Sequence, residues 1–341
     1  MSLTEGILRG DRRAIARQIS RIENNRPEGR SVLAELYAHT GNAFLVGITG
    51  APGTGKSTLV NEIAKLYRQD DKTVAILSVD PTSPFTGGAI LGDRIRMNDL
   101  AGDPGIFVRS MATRGSLGGL ARAAADTVKI FDAAGYKIIL IETVGVGQAE
   151  VEIASLAHSV VVVEAPGLGD EIQAIKAGVL EIADVFVVNK CDRDGAGKTV
   201  AALKMMLDLS HGSLLRAALH HGELMEIAST ADNGQDNVST EPAWRPSICQ
   251  TVATQGQGVG DVIAALQKHR DYQISSGILA QRERDRIVFE IQQILRERLL
   301  TDLLAQLSAE QINQTLDQVI ARKVDPYAAV DHLLSSEAER R

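Results

Sequence analysis

Continuous apolar runs alternate with amphipathic stretches through the middle of the chain. Runs such as Ser159–Val163 and Val185–Val188 carry almost no polar positions, which is typical of strands buried on both faces in parallel sheets. Strands are predicted over residues 44–49, 73–79, 106–109, 137–142, 159–164, 185–189 and 247–252. Helical patterns between them, as over 117–134 and 196–209, predict an α/β domain with a doubly wound, mostly parallel sheet over residues 41–270. Such domains bind ligands at the carboxyl ends of their strands.

At the N-terminal end the apolar residues follow a helical periodicity. In residues 1–40 the apolar positions recur near one helix face, and Asp11 is placed to cap the second of two short helices. The segment Asn24–Gly29 is predicted to break the pattern before a third short helix. We therefore expect an N-terminal helical extension. A polar stretch over 229–246 is predicted to be a surface loop.

The C-terminal residues 271–341 are also predicted to be helical, and they are rich in charge. The first helix carries an apolar stripe that consists of Ile287, Val288, Ile291, Ile294, Leu295 and Leu299. The last helix is expected to begin at Asp325-Pro326, with a cap followed by a proline in the first turn. This C-terminal arm either packs on the α/β domain or forms an oligomer contact, and the pattern does not decide between them.

The composition indicates a soluble enzyme. Of the 341 residues 44% are apolar, and the net charge of −7 argues against a protein that binds nucleic-acid phosphates. The two cysteines, Cys191 and Cys249, form neither a disulfide framework nor a zinc pattern, which suits a reducing compartment. No basic leader and no run of 18 apolar residues is visible. We expect a cytoplasmic protein with neither a nucleic-acid nor a membrane partner.

Residues 50–57 read GAPGTGKS, a phosphate-binding loop motif placed between a predicted strand and a predicted helix. Its glycines let backbone N–H groups surround a triphosphate, and the helix N-terminus adds partial positive charge. The Lys56 ammonium can reach the β- and γ-phosphates, and the Ser57 hydroxyl can ligate Mg²⁺. Nucleotide contacts are predicted along the whole run: Gly50, Ala51, Pro52, Gly53, Thr54, Gly55, Lys56, Ser57 and Thr58.

The motif Asn189-Lys190-Cys191-Asp192 follows a predicted strand and points to guanine. The Asp192 carboxylate can accept two hydrogen bonds from guanine N1–H and N2–H₂, whereas adenine has no matching pair of donors. Lys190 can lie over the base plane, and Asn189 can support the loop. The segment Thr251-Val252-Ala253, after the last strand, is placed to close over the base.

Two acidic residues, Glu142 and Asp80, lie at the ends of predicted strands, and a third, Asp93, lies in the glycine-rich run that follows Asp80. Glu142 is expected to hold the water shell of the metal, and the N–H of Gly145 can reach the γ-phosphate. Asp80 and Asp93 can each orient the attacking water or bind Mg²⁺ through water, and Asp80 is the preferred residue for the water. Four arginines are near enough in sequence to supply charge in the transition state: Arg94, Arg96, Arg109 and Arg114.

Taken in order, these motifs resemble a known family. The segments that carry the resemblance are Gly50–Thr58, Val79–Ser83, Thr86–Met97, Glu142–Glu150, Pro166–Gly178 and Asn189–Asp192. They are similar to the G-protein chaperones of adenosylcobalamin-dependent acyl-CoA mutases, typified by the methylmalonyl-CoA mutase-associated GTPase of the MeaB/ArgK group. The resemblance covers nearly the whole chain. It implies a P-loop GTPase domain flanked by the helical extension and a helical dimerisation arm.

The resemblance also implies a function and partners. GTP hydrolysis would gate the loading of adenosylcobalamin into a partner mutase, with methylmalonyl-CoA mutase as the family default, and would protect that mutase from inactivation. The cobalamin would belong to the partner, and this chain would bind GTP or GDP with Mg²⁺. Asp80, Asp93 and Glu142 would surround Mg²⁺ and the γ-phosphate, and Gly167–Gly178 would form a further switch.

Two other functions stay open at this point. A metallochaperone GTPase of the same fold class would deliver nickel, and it should show a cluster of Cys or His residues. A P-loop kinase would transfer phosphate to a substrate, but the guanine motif argues against it because most kinases use ATP.

Overall fold

The computed structural model describes residues 2–24, 26–80, 100, 102–112, 119–143, 156–167, 182–211 and 244–338. The chain divides into two compact units, Met1–Arg282 and Glu283–Arg341. None of the helices in the described ranges is both long enough and apolar enough to cross a membrane.

A seven-stranded sheet forms the centre of the first unit. Its strands are β1 Phe44–Thr49, β2 Val74–Asp80, β3 Ile106–Ala112, β4 Ile138–Thr143, β5 Ser159–Glu164, β6 Val185–Val188 and β7 Ser247–Gln250. They lie in the order β3-β2-β4-β1-β5-β6-β7, and every pairing is parallel. The order reverses beside β1, so the loop after β1 opens at the point where ligands bind in such sheets. The predicted doubly wound fold is confirmed.

Helices cover both faces of the sheet because its strands are apolar on both sides. On one face α4 (Lys56–Gln69) and α7 (Val259–Ser275) pack on alternate residues of the strands. On the other face the N-terminal helices and α5 (Gly119–Ala133) cover the intervening residues, and α6 (Ala196–His211) covers β6. The phosphate-loop motif lies where β1 passes into α4.

The N-terminal extension consists of α1 Leu3–Leu8, α2 Arg12–Glu23 and α3 Pro27–Leu36, followed by a 3₁₀ turn at Tyr37–His39. Asp11 caps α2 as predicted, since its carboxylate accepts from the N–H of Arg13 at 2.8 Å. The break predicted to reach Gly29 is shorter, because Pro27 occupies the first position of α3, where a missing N–H costs nothing. Gly29 therefore lies inside a helix, where a Cβ would lie 3.1 Å from Cδ1 of Ile22.

The C-terminal helices are α8 Ile278–Gln306, α9 Ala309–Ile320 and α10 Pro326–Ala338. Ser308 and Gln311 form a reciprocal capping box at the start of α9. The Asp325 carboxylate accepts from the N–H of Tyr327 at 2.9 Å, so the predicted cap of the last helix is confirmed. The six side chains of the predicted apolar stripe are all exposed, from 36% at Val288 to 60% at Leu299. The predicted loop over 229–246 lies outside the described residues except at its last three positions.

Candidate functional site

The glycine-rich loop is shaped by two glycines that no other residue could replace without a shift. Gly50 has φ 136°, and a Cβ there would lie 2.1 Å from the Val163 carbonyl oxygen of β5. Gly55 has φ 95°, and a Cβ there would lie 2.4 Å from Nδ2 of Asn189. Both positions need positive φ and close approach to another segment, so the loop is held against β5 and against the residues that follow β6.

Lys56 opens α4 with its ammonium folded back over the loop. The side chain is buried, and Nζ donates to the carbonyl oxygens of Gly50 at 2.7 Å and Ala51 at 2.9 Å. These neutral carbonyls are weaker acceptors than a phosphate oxygen, which carries formal charge. The ammonium is therefore held at the loop by bonds that a phosphate can replace.

Ser57 joins the first turn of α4 to the end of β4. Its hydroxyl donates to Oε1 of Glu142 at 2.5 Å, and Glu142 is 3% exposed. A hydroxyl and a carboxylate are the hard oxygen donors that Mg²⁺ takes, with water completing its shell, so this pair fits the ion. Thr143, the next residue, donates from its hydroxyl to that of Thr49 at 2.9 Å, which links the ends of β4 and β1.

Asp80 ends β2, and its Cα lies in register with Ala112 of β3. Val79 is in register with Thr143 of β4, so the Asp80 backbone reaches the same carboxyl edge as Glu142. Of Asp80 only the backbone is described. The predicted residues Asp93 and Gly145 lie outside the described part of the chain, and their roles stay predictions.

Asn189 links three segments through one buried amide. Its Nδ2 donates to the carbonyl oxygen of Thr54 in the phosphate loop at 2.8 Å. Its Oδ1 accepts from the hydroxyl of Thr251 and from the N–H of Ala253, both at 3.0 Å. The phosphate loop, the residues after β6 and the residues after β7 are thereby joined, although they are far apart in the chain.

The rest of the Asn189–Asp192 motif lies on the same edge. Lys190 has the left-handed φ of 59°, and its Nζ donates to the carbonyl oxygen of Gly53 at 2.6 Å. Asp192 is exposed, so its carboxylate is open to a ligand. Val252 is buried, and its N–H donates to the Gln257 carbonyl. Pro52 and Gly53 are exposed, whereas Thr58 is half-buried on α4.

The thiol of Cys191 lies inside this motif without a chemical role that the structure supports. It is half-buried and donates to the Val188 carbonyl at 3.0 Å. Burial raises the pKa of the Cys191 thiol, and this outweighs the lowering by the Thr251 backbone contact. The thiol therefore stays protonated near neutral pH, which makes it a poor nucleophile.

Arg109 is engaged away from the nucleotide loop. Its guanidinium forms an ion pair with Glu23 of α2 and donates to the Ser20 hydroxyl at 3.2 Å. These contacts hold β3 against the N-terminal helices. Of the four arginines considered for the transition state, Arg109 is therefore engaged in a structural ion pair. The other three lie outside the described residues.

Sequence reasoning missed one polar side chain at the site. Ser78 of β2 is 1% exposed, and its hydroxyl has no hydrogen-bond partner among the described residues. A serine in an apolar strand is a weak signal in sequence, because its partners depend on strand register. Within the described residues there is also no group of three or more Cys, His, Asp or Glu side chains that could hold a metal.

Comparisons with known proteins agree with this geometry. A family model described as "Methylmalonyl Co-A mutase-associated GTPase MeaB" matches residues 15–308. A Pyrococcus abyssi protein named as a GTPase is 43% identical over 332 residues, which cover 97% of this chain and 95% of that protein. GTPase ArgK of Escherichia coli is 31% identical, with 89% of this chain and 87% of that protein covered.

Two further similarities concern an animal relative and a solved structure. A Caenorhabditis briggsae protein named methylmalonic aciduria type A homolog, mitochondrial, is 35% identical, with 67% of this chain and 62% of that protein covered. The crystal structure titled LAO/AO transport system kinase has a TM-score of 0.68 at 24% identity, covers 99% of this chain and 97% of its own, and supports the fold. The chain is thus a GTP hydrolase with a P-loop fold, and it belongs to the MeaB family of methylmalonyl Co-A mutase-associated GTPases.

Proposed function

We propose that this GTPase is a chaperone of an adenosylcobalamin-dependent acyl-CoA mutase, with methylmalonyl-CoA mutase as the first candidate. The description of the family and the name of the Caenorhabditis briggsae relative support this partner. GTP hydrolysis would gate the loading of the cobalamin cofactor and protect the mutase from inactivation. Adenosylcobalamin belongs to the mutase in this proposal, whereas this chain binds GTP or GDP together with Mg²⁺.

The arrangement around Asn189 carries the guanine-nucleotide part of the proposal. One amide joins the phosphate loop at Thr54 to the segment Thr251–Ala253, so the phosphate and base regions are held in a fixed relation. Asp192 stands exposed at the same edge, where it would accept from guanine N1–H and N2–H₂. A site held in this way before the ligand arrives loses less entropy on binding.

The proposed chemistry is attack of water on the γ-phosphate. The water oxygen forms a bond to phosphorus while the bond to the β–γ bridging oxygen breaks, and GDP leaves with that electron pair. Lys56 exchanges its loop carbonyls for phosphate oxygens and neutralises the charge that develops there. Asp80 orients the attacking water, and the N–H of Gly145 donates to the γ-phosphate.

Mg²⁺ would supply positive charge to the β- and γ-phosphate oxygens. In this proposal the Ser57 hydroxyl would ligate the ion, and Glu142, Asp80 and Asp93 would hold its water shell. The contact between Ser57 and Glu142 supports this assignment, because the two oxygen atoms that would face the ion lie 2.5 Å apart.

The proposal also includes the organisation of the chain. Residues 1–40 form the helical extension, 41–270 the GTPase domain and 271–341 the dimerisation arm of a cytoplasmic homodimer. Exposed leucines and isoleucines on the C-terminal helices support a dimer contact, because large apolar patches usually mark interfaces.

Orthophosphate release from GTP and from ATP, with and without a cobalamin mutase from the same source, tests the proposal. We expect release that is selective for GTP and rises when the mutase is added, and that is lost in the Lys56→Ala variant. GTP-selective release that responds to no mutase would contradict the chaperone role and favour a metallochaperone. A preference for ATP, with phosphate transferred to a substrate, would favour a kinase.

A further inference from the structure

The hydroxyl of Ser78 is buried and polar, and the proposed mechanism does not use it. The side chain is 1% exposed, and its Oγ has no hydrogen-bond partner among the residues that the structure describes. Buried hydroxyls are nearly always paired, and an exception calls for an explanation such as an ion or a water molecule. The surroundings of Ser78 in the sheet indicate which of these the hydroxyl faces.

Strand register places Ser78 in a polar row that crosses three strands. Its Cα is in register with Ser110 of β3 on one side and with Glu142 of β4 on the other. Residues of a strand point alternately to the two faces of the sheet, so Ser78 shares a face with Val74 and Ile76. Both of these residues belong to the core that α4 covers. Ser78 therefore lies on the face that carries the phosphate-loop helix.

The neighbour of Ser78 in this row is the carboxylate that faces the proposed metal. Glu142 accepts from Ser57 of α4, and Ser78 lies beside it at the same level of the sheet. Hydrated Mg²⁺ keeps several of its waters when it binds to proteins. A serine hydroxyl can accept from such a water and still donate one hydrogen bond of its own.

We propose that Ser78 is a positioning residue for the water shell of the metal, acting through a water that it shares with Glu142. This inference rests on the proposed function, since it requires a Mg²⁺–nucleotide complex at Ser57. The hydroxyl lies two residues before the end of β2, so we expect it to act on the ion through water and not as a direct ligand. The role explains why a hydroxyl is kept in an apolar strand without a protein partner among the described residues.

The test follows the Mg²⁺ dependence of nucleotide release. Protein loaded with a fluorescent N-methylanthraniloyl GDP is diluted into excess GDP at a series of Mg²⁺ concentrations, and the release rate is recorded. We expect Ser78→Ala to need roughly ten times more Mg²⁺ than the wild type to slow release by half, the lower end of the loss that removal of support around a metal site usually causes. In EDTA, Ser78→Ala and wild type should release GDP at the same rate.

Ser110→Ala is the matched control, because it removes the same hydroxyl at the same level of the sheet, one strand further from Glu142. Its Mg²⁺ midpoint should equal that of the wild type. Thermal unfolding separates positioning from packing: without metal, Ser78→Ala should be as stable as the wild type or more stable, because it removes an unpaired buried hydroxyl. The stabilisation that Mg²⁺ adds to the GDP complex should be smaller in this variant.

The outcomes separate this inference from the proposed function. If release from the wild type slows with Mg²⁺ but Ser78→Ala has the same midpoint, the inference is wrong and the metal-dependent function stands. If the metal-free variant is less stable and releases GDP faster in EDTA, the residue is structural and the inference is wrong. If Mg²⁺ has no effect on the wild type, the metal assignment at Ser57 is wrong and this inference fails with it, whereas the chaperone role is decided separately by orthophosphate release.

Discussion

At the scale of single residues, Asn189 is the side chain that joins three segments of the site by hydrogen bonds. The side chain is 2% exposed and uses both ends of its amide, donating to Thr54 and accepting from Thr251 and Ala253. No other side-chain type matches this set of one carbonyl, one hydroxyl and one N–H with the same shape. A carboxylate would lose the donor, and an aliphatic side chain would leave all three partners unpaired.

Asn189→Ala should therefore weaken GDP binding strongly. We expect at least a tenfold loss of affinity and about 1–3 kcal/mol lower stability, because Thr54 and Ala253 keep buried polar groups without partners. Calorimetric titration with GDP and urea unfolding would measure the two effects. The matched control is Asn42→Ala, which removes a more exposed amide from the turn before β1. Equal GDP affinities in the Asn189 variant and the wild type would contradict the proposed role.

Asp192→Asn should change which base is bound. The variant loses the double acceptor for guanine N1–H and N2–H₂, so GTP affinity should fall by at least tenfold. The new amide can donate to the 2-oxo group of xanthine, so xanthosine triphosphate should bind better to the variant than to the wild type. Competition against fluorescent GDP measures both, and Asp194→Asn is the neighbouring exposed control. Unchanged GTP affinity would overturn the guanine assignment.

At the scale of elements, the loop between β1 and α4 needs glycine for two different reasons: a positive φ, and the absence of a Cβ where another segment lies close. Gly50 needs both a positive φ and an absent Cβ because the Val163 carbonyl lies so close. Gly53 needs only its positive φ of 80°, since a Cβ at that position would meet no described atom within 4 Å. Substitutions at the two positions can therefore separate the effect of backbone strain from that of a steric clash within one loop.

Gly50→Ala should abolish GDP binding and lower the melting temperature. Gly53→Ala should cost about 1 kcal/mol of stability, the usual cost of a side chain at positive φ, and should keep measurable GDP affinity. Fluorescent GDP titration and thermal unfolding of the two variants provide the comparison. Similar losses in both variants would mean that φ alone, and not the approach to Val163, limits the first position.

The opposite end of the sheet holds a buried polar cluster around Asp184, just before β6. The carboxylate accepts from the N–H of Val160 at 2.9 Å and lies 3.2 Å from both His269 of α7 and Arg282 of α8. His269 also contacts the Ser159 hydroxyl at 2.8 Å. Although serine, histidine and aspartate lie in line, Ser159 is fully buried at the start of a strand, so the cluster holds helices to the sheet and cannot meet a substrate.

This cluster should make stability depend on pH. Burial lowers the pKa of His269 to about 4, against the opposing attraction of Asp184, and Arg282 lowers it further. Unfolded histidine titrates near 6.5, so between pH 6.5 and 4 the unfolded state binds more protons. The contribution of His269 to the free energy of unfolding should therefore be fully present above pH 6.5 and be lost as the pH falls through this window, by roughly 3 kcal/mol in all.

Urea unfolding at a series of pH values measures this slope. His269→Gln should be less stable at pH 7 and should lose most of the slope between pH 6.5 and 4. His39→Gln, which changes an exposed histidine before β1, should keep the wild-type slope. If the His269 variant retained that slope, other groups would have to account for the loss of stability in acid.

At the scale of the whole molecule, the apolar surface of the second unit has consequences for assembly. Ile291, Leu295 and Leu299 follow each other at intervals of four residues on α8 and are 58%, 54% and 60% exposed. Spacing of this kind places them on one side of the helix. An exposed apolar row of this size is typical of a surface that binds a partner.

Changing these three residues to serine should convert the proposed dimer to a monomer while GDP affinity stays within about twofold of the wild type. Sedimentation velocity across a concentration series measures the assembly. Changing Met205 and Leu209 of α6 to serine is the control, because these residues are equally exposed but lie in the first unit. A monomeric wild type, or a dimer that survives the triple change, would rule out this surface as the dimer contact.

Much of the fold could be predicted from the chain because its signals are local. Apolar runs such as Val185–Val188 marked buried strands, and Asp11 and Asp325 marked helix starts through their own capping bonds. The predicted end of a strand was wrong where pairing with a segment distant in the chain sets that end. The strand that begins at Ile106 was expected to stop at Arg109, yet it continues to Ala112 because its last three residues pair with Ser78–Asp80 of β2.

The sequence by itself determined the chemistry of the phosphate loop. Glycine, lysine and serine at this fixed spacing supply the groups that bind phosphate, and their identity does not depend on the rest of the fold. Only the tertiary structure decided that Asn189 reaches Thr54 across 135 positions and that Ser57 meets Glu142 across 85. It also placed Ser78 beside Glu142. These contacts depend on strand order and register, which are set by packing among segments far apart in the chain, and no local pattern encodes them.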